Sequence, residues 1–333
     1  MKLNLYLAII ALSGLTACSQ APKTQIEYVE LFSDKTMQQL SDSSFFNHVA
    51  CISEYEGDIY MSDQKRCQIF RLDSNLNLLR TIGMEGHGPQ DFGYIENFVI
   101  HQDTIFVGDV TKMRILRFST DGQFCGAENP DEKIPLNYRF TMDDNHIYYT
   151  RNEGIPDKSM VDYCRDSTAN KLRRFGQATD FGHPHKTKRQ NARHVHLYNN
   201  TLIAVPTSIP VIEIYDLKGN TLRSADIAGI PIVKDMYYKM TNDRRIAESP
   251  NMAYQIFLDS YVYRDRLYIL SSVYNNERLD HSSLLEFDLS NGGAEWVRQY
   301  DFPDWVIKCC VTDDYIYGFV PQSSSIKRYP LPA

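Results

Sequence analysis

Short runs in which apolar and polar residues alternate succeed one another from residue 48 to the end of the chain. They include HVACISEY (48–55), NFVIHQ (97–102), YRFTMDD (138–144), RHVHLY (193–198), QIFLDSYVY (255–263) and VIKCCVTDD (306–314). A period of two puts successive side chains on opposite faces, which is the pattern of half-buried strands. Turn-forming groups separate the runs, among them Glu56-Gly57-Asp58, Asp121-Gly122, Asn199-Asn200 and Lys218-Gly219-Asn220.

The alternation is itself periodic. Residues 59–73, IYMSDQKRCQIFRLD, align without gaps on residues 105–119, IFVGDVTKMRILRFS, at an offset of 46. Ile59 falls on Ile105, Asp63 on Asp109, Ile69 on Ile115 and Arg71 on Arg117. The same frame returns at Leu202 and at Ile316, and, with short insertions, near residues 147 and 267. Each copy contains two strands, a turn and a third strand, and a further strand precedes it. Six copies of a four-stranded unit predict an all-β, six-bladed β-propeller. The last copy ends one strand short, and QIEYVELF from Gln25 is unclaimed. That N-terminal strand is expected to join the last blade and close the ring, which leaves no open edge.

Insertions mark one face for binding. Residues 151–170, 176–196, 228–253 and 273–283 exceed the repeat. In residues 228–253, Met236, Met240 and Ile246 stand near helical spacing, which predicts a helix over Val233–Ala247.

The chain opens differently. Lys2 precedes the apolar run Leu5–Leu12, which is too short to span a bilayer, and the run ends in Leu15-Thr16-Ala17-Cys18. This stretch resembles the lipobox of bacterial lipoproteins, in which the chain is cleaved before the cysteine and the cysteine carries the lipids. The resemblance implies a signal peptide over 1–17, a lipidated Cys18, a tether over 18–25 and a propeller over 26–333. It also implies a cell-envelope location with the membrane as a partner through the lipid. The tether SQAPKTQ has no acidic residue, which favours the periplasmic side over the cell surface.

The stretch Gly83-Met84-Glu85-Gly86-His87-Gly88-Pro89-Gln90-Asp91-Phe92 sits at a blade junction. It resembles the Gly-x-x-Gly-x-Gly-Pro-Gly-Glu-Phe signature of six-bladed NHL-like propellers found among Bacteroidetes lipoproteins. It departs at Gln90 and Asp91, and no proline follows the Phe. The resemblance therefore carries the fold and not an NHL-type function. A dinucleotide loop is excluded, because a strand and not a helix follows Gly86-His87-Gly88.

Composition narrows the chemistry. The formal charge is -7, which argues against nucleic acid as a partner. Apart from Cys18 there are Cys51, Cys67, Cys125, Cys164, Cys309 and Cys310, with no metal-ribbon spacing. They read as mostly buried thiols, with one bridge open as an alternative.

Asp63 and Asp109, with Arg114 near the latter, recur at one repeat position and read as turn-holding residues. Four of the nine histidines, His183, His185, His194 and His196, fall within fourteen residues. Two histidines at i, i+2 on a strand face one way, as a metal pair would. The segment also carries Lys186, Lys188, Arg189 and Arg193, which suits an anion better than a cation. Glu85, His87, His183, His185, Arg193, His194 and His196 are the ligand-binding candidates. Tyr237 and Tyr238 offer an aromatic platform.

There is no Gly-x-Ser-x-Gly, His-Glu-x-x-His or Walker loop. The expected function is therefore non-enzymatic binding of a peptide, glycan or protein by a monomer without a cofactor. The alternative is a metal-dependent lyase or hydrolase that uses the channel histidines.

Overall fold

The first copy of the repeat folds into four antiparallel strands, Val49–Tyr55, Asp58–Asp63, Gln68–Leu72 and Leu78–Ile82. Burial explains their composition. The second strand is covered on both faces, so Ile59, Tyr60 and Met61 are all buried. The fourth strand lies at the rim, and its Leu79, Arg80 and Thr81 are exposed. A blade is packed between two neighbours, so its middle strands read as apolar runs and its outer strand does not.

The computed structural model describes residues 25–40, 43–130, 134–150, 157–165, 172–275 and 278–332. Among these residues there are six sheets, one per copy. The innermost strands of blades two to six are Ile95–His101, Thr141–Met142, Arg193–Tyr198, Phe257–Tyr263 and Lys308–Val311. Apolar clusters fill the gaps between neighbouring blades. Cys51, Ile69 and Phe92 pack with Phe98 and Val107 between blades one and two. Another cluster unites Tyr268 and Tyr300 of blade five with Phe319 of blade six and Ile52 of blade one. The ring is thereby closed.

The closure corrects one expectation in detail. The strand that completes blade six is Lys35–Met37, antiparallel to Ser325–Pro330. Glu27–Glu30, within QIEYVELF, instead adds a fifth, parallel strand to the rim of blade five along Glu295–Asp301. The segment thus straddles two blades. Leu31 N–H donates to the Asp301 carbonyl and Asp34 N–H to the Arg328 carbonyl.

The insertions also differ from expectation. Helix α1, Pro184–Gln190, lies inside the basic stretch between blades three and four. The helix expected over 233–247 is two helices, α2 (Pro231–Asn242) and α3 (Arg244–Glu248). They break at Asp243, whose carboxylate accepts Arg245 N–H and caps α3. Residues 273–283 largely prolong the two strands Arg266–Asn275 and Arg278–Asp288. The insertion at 151–170 and Cys18 lie wholly or partly outside the described residues. Cys51, Cys67, Cys309 and Cys310 are buried, Cys164 is half-buried and Cys125 is exposed, and all six are free thiols.

Candidate functional site

The repeat frame locates the axis. In every blade the frame residue pairs with the innermost strand five positions before it. The pairs are Ile59 with Glu54, Ile105 with Ile100, Ile147 with Met142, Leu202 with Leu197, Leu267 with Val262, and Ile316 with Val311. Three positions further back stand Cys51, Asn97, Arg139, His194, Asp259 and Lys308. The six blades therefore contribute one equivalent residue each at the centre, and all but Cys51 are polar or charged. The first five are buried and Lys308 is half-buried.

Arg139 turns this ring into a plug. From just ahead of blade three its guanidinium crosses to blade five, where Nε and Nη2 bind Asp259 Oδ1 and Oδ2 at 2.6 and 2.7 Å. Nη2 also donates to the Ile52 carbonyl of blade one at 3.0 Å and to the Cys309 carbonyl of blade six at 2.9 Å. The guanidinium carbon lies 5.3 Å from the Tyr261 ring centre. Asp259 accepts Cys309 N–H at 3.1 Å. Burial alone would raise the Asp259 carboxyl, but the charges of Arg139 and Lys308 outweigh it and hold it well below the usual carboxylate range.

Above the plug lies a cavity of about 780 Å³. Blade one contributes His48, Ala50 and Gln64 to its wall, blade two Glu96 and Asn97, and blade six Lys308. Asn137 and Tyr138 come from the run into blade three, and Gln255 from the run into blade five. Helix α1 adds His185, Lys188 and Arg189. Glu96 accepts Gln64 Nε2 at 2.9 Å. Burial raises its carboxyl to about 6, against the opposing pull of Lys308. His48 is pushed below its ordinary value by burial, with Lys308 and Lys65 adding to the effect and Asp63 opposing it.

Of the seven ligand candidates from the sequence, only His185 lines this cavity. The His183–His185 pair is not on a strand. His183 caps α1, and its Nδ1 accepts His185 N–H. His194 and His196 do lie on one inner strand, lower in the ring. His196 Nε2 is 2.7 Å from Ser260 Oγ, and His194 Nδ1 is buried without a hydrogen-bond partner. Burial keeps His194 neutral, well below the ordinary histidine range.

Arg193 is turned away from the axis. Its guanidinium is spent on Glu213 at 2.7 and 3.1 Å and on the Asn191 and Gln177 carbonyls. Glu85 and His87 are exposed outside the cavity, on the Gly-rich junction. That junction is clamped from blade two. Lys112 Nζ donates to the Gly86 and Asp91 carbonyls, and Arg114 to those of Pro89 and Asp91.

Asp63 accepts N–H groups of Asn47, His48, Lys65 and Arg66, and Asp109 those of Gly93, Tyr94 and Lys112. Each carboxylate thus ties a turn to the start of its blade's inner strand. Tyr238 of α2 is exposed, while Tyr237 packs edge-on against Tyr254. Among the described residues, no three His, Cys, Asp or Glu side chains come together to hold a metal ion.

The residues missed from sequence were Glu96, Lys308, His48, Tyr138 and the carboxamides. A signal for the ring existed. Its members stand eight positions before the frame residue in all six copies. The polar residues on otherwise apolar inner strands mark the axis.

A closed ring of six blades, plugged by an ion pair and open above it, defines a six-bladed β-propeller with a one-sided pocket. The chain belongs to the DUF5128 family, described as a 6-bladed beta-propeller, whose model matches residues 39–227. No curated protein matches the sequence. Among solved structures, the chain is similar to a protein of Bacteroides fragilis NCTC 9343 described as exported. The TM-score is 0.57 at 14% identity, over 88% of each chain. It is similar to a member of the DUF4221 family from Bacteroides vulgatus ATCC 8482, with TM-score 0.59 and 11% identity over 92% of this chain and 98% of that one. It also resembles an inactive variant of virginiamycin B lyase from Staphylococcus aureus with quinupristin, with TM-score 0.51 and 12% identity over 90% and 99%. At these identities the likeness is one of fold.

Proposed function

We propose that the protein is an NHL-like propeller lipoprotein, held in the bacterial cell envelope by lipid on Cys18 and facing the periplasm. It binds a ligand without chemistry in the cavity above the Arg139–Asp259 plug. The observation that carries this reading is the convergence of polar side chains from several blades and α1 on one cavity of about 780 Å³. That volume is in the range of small-ligand sites, and a rigid ring holds its walls in place. The lipobox-like Leu15-Thr16-Ala17-Cys18 after the apolar run Leu5–Leu12 supports the lipid attachment.

The site is tested by native mass spectrometry of protein purified from envelopes. A bound species is expected, and Gln255→Trp, which fills the mouth, should lose it. Absence of any bound species, or its retention by the variant, overturns the reading. The anchor is tested separately. Cys18→Ser should move the protein from the membrane to the soluble fraction, and unchanged fractionation refutes the lipid.

A further inference from the structure

The cavity wall has a charge and a composition that select among ligands. The whole chain carries a formal charge of -7, yet at the mouth three permanent cations, Lys188, Arg189 and Lys308, face one carboxylate, Glu96. Lys188 and Arg189 stand next to each other on α1, both line the cavity, and neither makes an ion pair with a described residue. Lys308 is partly committed, with Nζ 3.2 Å from the Leu258 carbonyl and 4.0 Å from Asp259. A concave site with unpaired cations concentrates anions.

The remaining wall is rich in carboxamides. Gln64, Asn97, Asn137 and Gln255 line it together with His48, His185, Tyr138 and Ala50. Asn97 is buried and its amide donates to the Asn137 carbonyl at 2.9 Å, so the carboxamides open to the cavity are those of Gln64, Asn137 and Gln255. A carboxamide both donates and accepts, which matches a surface of vicinal hydroxyls, while peptide side chains need apolar subsites that this wall lacks.

We infer that the mouth takes an acidic saccharide, its carboxylate held by Lys188 and Arg189 and its hydroxyls by the carboxamides of Gln64, Asn137 and Gln255 beside Tyr138. This inference rests on the mouth being a binding site, as proposed above. A bare inorganic anion would use the cations and leave the carboxamides idle.

The test uses the purified protein on immobilised uronic-acid and sialic-acid oligosaccharides, their neutral counterparts and acidic tripeptides. Retention by an acidic saccharide is expected, with its neutral counterpart at least tenfold weaker. The Lys188→Gln/Arg189→Gln double variant should lose at least tenfold in affinity with its melting temperature unchanged. Lys218→Gln, which is remote from the mouth, should bind as the parent does. Equal binding of acidic and neutral saccharides, retention of the tripeptides alone, retention of nothing, or indifference to the double variant each overturns the inference. If neutral saccharides or tripeptides bind and Gln255→Trp abolishes that binding, the acidic-saccharide assignment falls while the mouth stands as a binding site.

Discussion

Arg139 and Asp259 are worth more as a pair than either is alone. Both are buried, so removing Arg139 leaves the Asp259 carboxylate with only the Cys309 N–H and the more distant Lys308, 4.0 Å away. Arg139→Met is expected to cost about 3–5 kcal/mol in urea unfolding, as buried pairs do when one partner is deleted. Arg139→Met/Asp259→Leu should recover most of that loss. Equal destabilisation of the single and double variants contradicts the account.

Gly83 is constrained in another way. Its φ is +74°, and a Cβ there would lie 2.0 Å from a carbon of the Phe92 ring. Gly83→Ala should therefore lose about 1–3 kcal/mol through strain and overpacking, measured by the same unfolding. His194 sets a pH dependence. Burial holds its folded-state value well below the ordinary 6.5, so the unfolded chain takes the proton first. Its contribution to stability is complete above about 6.5 and falls as acidification proceeds below it. A scan of melting temperature from pH 7.5 to 5 should show this decline, and His194→Gln should make it shallower, the remainder coming from His196 and His48, which burial also holds below 6.5. An unchanged slope in the variant rules out His194 as the source.

Among the elements, the N-terminal segment has the largest consequence for its size. Glu27–Glu30 covers the rim of blade five and Lys35–Met37 completes blade six. Leu31 is buried between them, and Arg328 grips Asp34 at 2.7 and 3.0 Å. Deleting residues 25–37 uncovers two strand edges and loses the burial of Leu31, worth about 1.5–3 kcal/mol. The melting temperature should fall on the order of 5 °C, and the deleted protein should self-associate on size-exclusion chromatography. A monomer that melts unchanged contradicts the latch. Helix α1 matters through position and not through stability. Its seven residues carry two of the three cations of the mouth, and its cap is the His183 side chain.

Across the whole molecule the pocket is a product of closure. Blades one, two and six and the connections into blades three, four and five all contribute to it, so no single repeat contains the site. Its charge balance shifts near neutrality. Glu96 faces Gln64, Tyr94, His48 and Lys308 and titrates at about 6, so at pH 7 it is largely ionised and opposes an anion. Affinity for an acidic saccharide should therefore fall as pH rises through about 6. His48, which burial holds below the ordinary histidine value, adds with the same sign. Glu96→Gln should bind more tightly at pH 7 and show a shallower pH profile by calorimetric titration. An unchanged profile removes Glu96 from the site.

How far the chain could be read follows from these scales. The strands, the six-fold frame and the structural positions of Asp63 and Asp109 were all local: alternation, turn residues and a gap-free offset suffice to see them. Residues at the axis were legible in the same frame, eight positions before each frame residue, but their chemistry looked like scattered polar substitutions on apolar strands. Helix α1 was hidden because PHKTKRQ has no apolar period, and Arg193 looked available because Glu213 is twenty residues away. The sequence by itself determined the repeat, the number of blades and the class of fold, because each depends on neighbours along the chain. Only the tertiary structure decided that Arg139 crosses to Asp259, that the N-terminal segment divides between two blades, and that Lys188, Arg189 and Lys308 meet above the plug. Those outcomes depend on bringing together residues up to 294 positions apart, and no local pattern records which of them will meet.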